Sequence, residues 1–198
     1  MNFQKRIIPA VIGACLMLTA FSANALTRSD KTVHYGSDIG FKGWGPRLAF
    51  VDPEGPFAGT AEVGVVFDFG EFIPQLRWDG SISAWSSGRR YQYYNNNRYE
   101  NYDWTVRDFI LRTGVNYRLI EGAWVPYVGG GIGVHFYSWD YNRSPYYSNS
   151  SESKIGIYLD GGIEHQFSDS WKGQMQLQGD TGDFDQTSLI FSLIYRIE

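Results

Sequence analysis

Residues 124–136 read W-V-P-Y-V-G-G-G-I-G-V-H-F, and the reading of this stretch decides the fold. Val128, Ile132, Val134 and Phe136 share one parity, interrupted by Gly130, while Gly129, Gly131 and Gly133 occupy the other until His135. Alternate residues of a strand point to opposite faces, so this is a strand with one apolar face and one nearly bare face. A phosphate-cradling loop would need G-x-G-x-x-G opening a helix, or a Lys-Ser/Thr after the last glycine. Here Gly133 runs into Val-His-Phe, Pro126 lies upstream and no helical period follows. Glycines within strands mark bends of a barrel or places where bulky neighbours crowd in.

Seven further segments alternate in the same way. Thr60 to Phe69 is the clearest, with Ala61, Val63, Val65, Phe67 and Phe69 set against Thr60, Glu62, Gly64, Val66 and Asp68. That is about the 9–11 residues a tilted spanning strand needs. The others run from Trp44 to Phe50, Gln75 to Trp85, Thr105 to Leu119, Lys154 to Phe167, Trp171 to Gly179 and Thr187 to Ile197. The connections alternate in length. Those around 70–74, 120–123 and 168–170 are short, while 86–103 and 139–153, rich in Tyr, Asn and Ser, read as long polar loops. The expectation is an all-β, eight-stranded antiparallel up-and-down transmembrane β-barrel.

Lys5 and Arg6, the apolar run Ile7–Phe21 and Ala23-Asn24-Ala25 have the charge, length and cleavage pattern of a secretory signal peptide. Ile12-Gly13-Ala14 before Cys15 resembles a lipid-attachment box, but the apolar run continues through Leu16, Met17 and Leu18. The expected organisation is therefore a signal peptide over 1–25, an N-terminal periplasmic segment over 26–43 and the barrel over 44–198. Cleavage after Ala25 removes the single cysteine and with it any disulfide, thiol chemistry or Cys-based metal site. It also removes two of the 17 basic residues against 21 acidic ones, and an acidic chain does not suit a nucleic-acid partner.

Alternation alone does not say which face points inward. A soluble periplasmic lipocalin-like barrel would bury the apolar set around a small ligand. Three features favour apolar outward: the leader, the alternating connection lengths, and aromatics at the strand ends. Phe69, Phe72, Tyr117, Trp124, Phe167, Trp171 and Tyr195 mark the short-turn end, and Trp85, Trp104, Phe136 and Trp139 the other. Two such girdles match two membrane interfaces. The lumen then receives Arg77, Asp79, Asp108, Arg112, Arg118, Asp160 and Glu164, with the glutamines of the seventh strand. An unpaired buried charge costs several kcal/mol, so these groups are expected to pair and fill the interior, the glycines making room for neighbouring Arg and Tyr side chains.

The motifs G-W-G-P-R-L, V-F-D-F-G-E-F-I-P-Q-L-R and W-V-P-Y-V-G-G-G-I-G-V, with the terminal amphipathic strand, resemble small outer-membrane barrels of the OmpA transmembrane-domain and OmpX group. The resemblance covers most of 44–197 and implies a place in the outer membrane among lipid and lipopolysaccharide. It also implies insertion by the barrel-assembly machinery, which reads a C-terminal strand ending in an aromatic; here Tyr195, Ile197 and Glu198 stand there instead of a final Phe.

Function is expected to be structural and non-enzymatic, without cofactor or metal. Adhesion or recognition would fall to Tyr93, Tyr94, Arg98, Tyr99, Tyr146 and Tyr147, a composition typical of adaptable binding surfaces whose extracellular partner the sequence does not name. The alternative is a lipid A deacylase-type hydrolase. His34 precedes the barrel, His165 has the parity of lipid-facing Ile163 and Phe167, and His135 faces inward far along its strand from Glu164. No nucleophile, base and orienting acid are thereby brought within hydrogen-bond reach.

Overall fold

A computed structural model describes residues 37–53, 58–95, 98–143, 146–181 and 185–197, the side chains of 91–102 and 142–147 excepted. The expected leader and most of the 26–43 segment lie outside the described residues. The described residues form eight strands: β1 (Asp38–Pro53), β2 (Thr60–Ile73), β3 (Leu76–Asn95), β4 (Arg98–Arg118), β5 (Trp124–Arg143), β6 (Tyr146–Gln166), β7 (Trp171–Thr181) and β8 (Gln186–Arg196). Each pairs antiparallel with its neighbours in sequence, and β1 closes on β8. β1 starts at Asp38, earlier than the expected Trp44, and reaches back to pair Ile39 with Gly70. Gly70 takes φ +84 there and sits against the Asp38 carbonyl, where a Cβ would collide. Only glycine combines that backbone with that approach.

The pleat is inverted relative to a soluble barrel. Phe50 is 71 % and Ile155 75 % exposed, while Glu62 and Arg112 are 0 % and 5 % exposed. A lipocalin-like barrel would show the reverse, so that alternative fails. The outer wall is an apolar band, and its lower rim carries the expected aromatics Phe72, Tyr117, Trp124, Phe167, Trp171 and Tyr195. Two of the wall's glycines are roofed by rings: Phe69 lies over Gly80 and Phe167 over Gly173.

Two expectations are corrected. The segments 86–103 and 139–153 are mostly strand, because β3 pairs with β4 out to Asn95–Arg98 and β5 with β6 out to Arg143–Tyr146. β3 to β6 are 20 or 21 residues long, against 11 for β7 and β8. Beyond the hydrocarbon both faces of a strand meet water, so the apolar alternation disappears while the backbone ladder and the strand preference of Tyr persist. The second correction concerns the upper aromatics. Phe136 faces outward, but Trp85 is buried in the interior, and Trp104 and Trp139 pack against the same internal cluster. Trp85 has the parity of lumen-facing Ser81 and Ser83, and parity rather than nearness to a strand end sets the direction of its ring.

Candidate functional site

The interior divides into a polar column and an apolar cap. At the short-turn end, Glu164 on β6 is bonded by Arg77 of β3 and, at 3.2 Å, by Arg118 of β4. Arg118 also meets Glu71 at 2.5 Å, and Gln174 donates to Glu164 at 3.0 Å. Lys172 of β7 crosses the lumen to Asp68 of β2 at 2.5 Å. Above this tier Asn116 donates to Asp79 and Gln176 to Asp160. Higher still, Arg112 bridges Glu62 at 3.2 Å, Ser83 at 3.0 Å and Asp180 at 3.1 Å. Arg47 joins Glu62 at 3.2 Å and Gln178 at 3.3 Å, and Gln186 donates to Asp180 at 2.7 Å.

All seven residues expected in the lumen are there, and most are cross-linked. Arg77, Arg118 and Glu164 form one cluster; Asp79 and Asp160 bond to amides; Arg112 holds the upper tier; Asp108 binds His135 Nδ1 at 2.8 Å. Sequence reasoning missed Arg47, Glu62, Asp68, Glu71, Lys172 and Asp180. Parity could have found most of them: Glu62 and Asp68 oppose the apolar face of β2, and Lys172 shares the face of Gln174, Gln176 and Gln178. Asp180 lies one residue past Gly179, where the alternation ends the expected seventh strand, whereas β7 runs on to Thr181.

The glycines of β5 now have a physical role. Tyr158 Oη fills the space over Gly131 and Gly114, Asn116 and Asp160 fill that over Gly129, and the His135 ring stands 3.2 Å from where a Gly133 Cβ would be. Tyr127 fills the space at Gly162 in the same way. The inner face is bare because its volume is already taken by tyrosines and charged side chains from neighbouring strands.

Beside Glu62 and Asp108 the filling includes an apolar cluster of Ala49, Val51, Trp85, Val106, Ile110, Tyr137 and Ile190, with Trp85 paired to both acids. From His135 upward the rings continue as a ladder. His135 and Tyr137 are stacked at 5.5 Å and 10°, Tyr137 and Trp139 tilted at 6.2 Å, and Trp104 and Trp139 stacked at 6.2 Å and 29°.

As for chemistry, His135 and Asp108 form a base and an orienting acid, a pairing that the sequence did not reveal. His165 lies on the outer wall, stacked on Trp124 at 4.0 Å, with Nδ1 against the Ala123 carbonyl at 2.8 Å. Among the described residues no serine hydroxyl is hydrogen-bonded to either histidine, and no His/Cys/Asp/Glu group has metal-binding geometry. The side chains of Tyr93, Tyr94, Arg98, Tyr99, Tyr146 and Tyr147 lie outside the described residues. Their backbones stand at the outer ends of two hairpins, pairing Tyr94 with Tyr99 and Arg143 with Tyr146.

No protein-family model matches the chain, and no curated relative does. Its structure is similar to that of Ail, the attachment invasion locus protein of Yersinia pestis, solved in complex with the heparin analogue sucrose octasulfate. That likeness has 14 % identity and a TM-score of 0.52, covering 79 % of this chain and 97 % of that one. It is also similar to Neisserial surface protein A, at 11 % identity and TM-score 0.54, covering 82 % and 99 %. The fold is therefore that of the small eight-stranded outer-membrane barrels, as the sequence motifs implied.

Proposed function

We propose that this chain is a non-enzymatic outer-membrane barrel whose tall side is a recognition surface for an extracellular partner. One observation carries the reading. Among the described residues, β3 is paired only with β4 from Gly88 to Asn95, and β6 only with β5 from Tyr146 to Gly156. A four-stranded sheet thus stands above the low wall of β7, β8, β1 and β2, with two open edges. Open edges in water are available for backbone pairing with another chain, and native proteins normally blunt them. Ail, named for attachment and crystallised with a sulfated saccharide, lends support by analogy of fold. The exposed apolar band supports a wall set in lipid and lipopolysaccharide, and the proposed route there is a cleaved leader and the barrel-assembly machinery. The hydrolase alternative loses ground because, among the described residues, no serine hydroxyl is hydrogen-bonded to His135 of the Asp108–His135 pair.

The test has two arms. Membrane fractionation with heat-modifiable gel migration is expected to place the protein in the outer membrane as a compact barrel; a soluble periplasmic protein would overturn the reading. Replacing residues 139–150 by Asn-Gly joins the paired Ser138 and Ser151 through a tight turn. That variant is expected to insert normally while cells bearing it lose attachment to extracellular matrix or host cells. Unchanged attachment would sink the recognition role.

A further inference from the structure

The three tryptophans assigned by strand position to a lipid girdle face inward, and they ask for a different role. On β5 the inward parity carries Tyr137, Trp139 and Tyr141; on β4 it carries Val106 and Trp104, with Trp104 directly opposite Tyr141 and Val106 opposite Trp139. Exposure rises along this ladder. Tyr137 is 4 % exposed, Trp139 and Trp104 are half-buried, and Tyr141 is 37 % exposed. The ladder climbs from the closed lumen onto the inner face of the protruding sheet, beside the low wall of the barrel. The same face carries Arg89 on β3 and Glu152 and Lys154 on β6.

We propose that this face binds a saccharide chain, its sugar rings laid against Trp139, Trp104 and Tyr141. A pyranose ring has an apolar C–H face and a rim of hydroxyls. It therefore matches a surface of flat aromatic rings bordered by polar and charged groups of both signs. Among the described side chains this face carries Arg89, Lys154 and Glu152, with Lys154 meeting Glu152 at 3.4 Å, and such mixed charge suits an uncharged sugar better than a polyanion. Below the ladder the lumen is filled by the Asp108–His135 pair and the Arg112 cluster, so the face ends on a closed interior. The inference rests on the recognition reading above and names a ligand class for the inner face, distinct from the open edges.

The experiment uses the full barrel in detergent micelles on an array of neutral and sulfated oligosaccharides, followed by tryptophan-fluorescence titration with the neutral glycan retained best. Wild type is expected to retain neutral glycans with a saturable fluorescence change. Trp139→Ala and Tyr141→Ala are each expected to weaken binding about tenfold or more, as anchoring aromatics do. Heat-modifiable migration checks that each variant is folded, and Tyr141, being exposed, can be replaced without opening the core. Retention of sulfated glycans alone, insensitive to both substitutions, would overturn the proposal in favour of charge recognition. So would the retention of no glycan, or displacement of a fluorescent fatty acid with no response to sugar. If cells still attach through the hairpin of β5 and β6 while no glycan binds, the saccharide inference alone fails.

Discussion

The two halves of the lumen solve one problem by different means. Both must fill a narrow tube whose outer wall gives its apolar residues to lipid. In the lower half Val66, Ile194, Tyr127 and Tyr158 are buried too, but the filling is tied together by ions: Arg77, Arg112 and Lys172 each reach across to strands that are not their neighbours. In the upper half it is apolar, and Ile110, Val106, Ile190 and Trp85 pack without polar links. The boundary runs through single cross-strand pairs, since Glu62 faces Trp85 and Trp85 faces Asp108 across adjoining ladders. Ionic filling depends on partners, so removing one group strands several others. Apolar filling depends on volume, so removal leaves a hole of limited extent.

That contrast sets the ranking of substitutions. Arg112→Met is expected to be the most damaging, by about 3–5 kcal/mol, because it leaves Glu62 and Asp180 buried without their shared cation. Urea unfolding of the barrel in lipid vesicles measures it, and a loss below about 1 kcal/mol would show that the ionic column is not the more fragile half. Ile110→Ala, in a fully buried apolar site, is expected to cost about 2–4 kcal/mol by cavity formation. The same titration decides whether it falls below Arg112→Met; the reverse order would erase the distinction between the halves.

The ease of reading the sequence follows the same physical boundary. Within the membrane, lipid enforces apolar residues on alternate positions, so the strands from β2 to β8 and the seven lumen charges were legible from parity. Outside it no solvent asymmetry exists, and the extensions of β3 to β6 looked like loops. Trp85, Trp104 and Trp139 stand near strand ends, a position that suggests an interface, yet parity turns them inward. The partners across the lumen were illegible for another reason. Which residue meets Lys172 or Arg77 depends on the stagger of a closed barrel, and the sequence of any one strand does not contain it. The Asp108–His135 bond shows this even for adjoining strands, since β4 and β5 pair Ile110 with His135.

Smaller effects are expected within the glycine stretch that specified the fifth strand, and they sharpen the account of its bare face. Gly131→Ala would press a methyl group on the Thr113 carbonyl and the Tyr158 hydroxyl, and overpacking of this kind costs about 1–3 kcal/mol. Gly133→Ala meets only the His135 ring at 3.2 Å and Arg112 Cγ at 3.5 Å, side-chain atoms that can give way, so it is expected to cost less than Gly131→Ala. Equal losses in the urea titration would mean that the stretch is bare for a reason other than the crowding by Tyr158. Smallest of all is Arg90→Ala. Arg90 bonds Asp103 at 2.7 Å across the β3–β4 ladder, but both side chains are largely open to water. Exposed pairs of this type contribute little, because solvent screens the attraction and two long side chains lose freedom in making it. The unfolding midpoint is expected to stay where it is in the wild type. A clear drop would mean that the protruding sheet unfolds together with the membrane barrel, and that the ionic column and the extracellular hairpins form one cooperative unit.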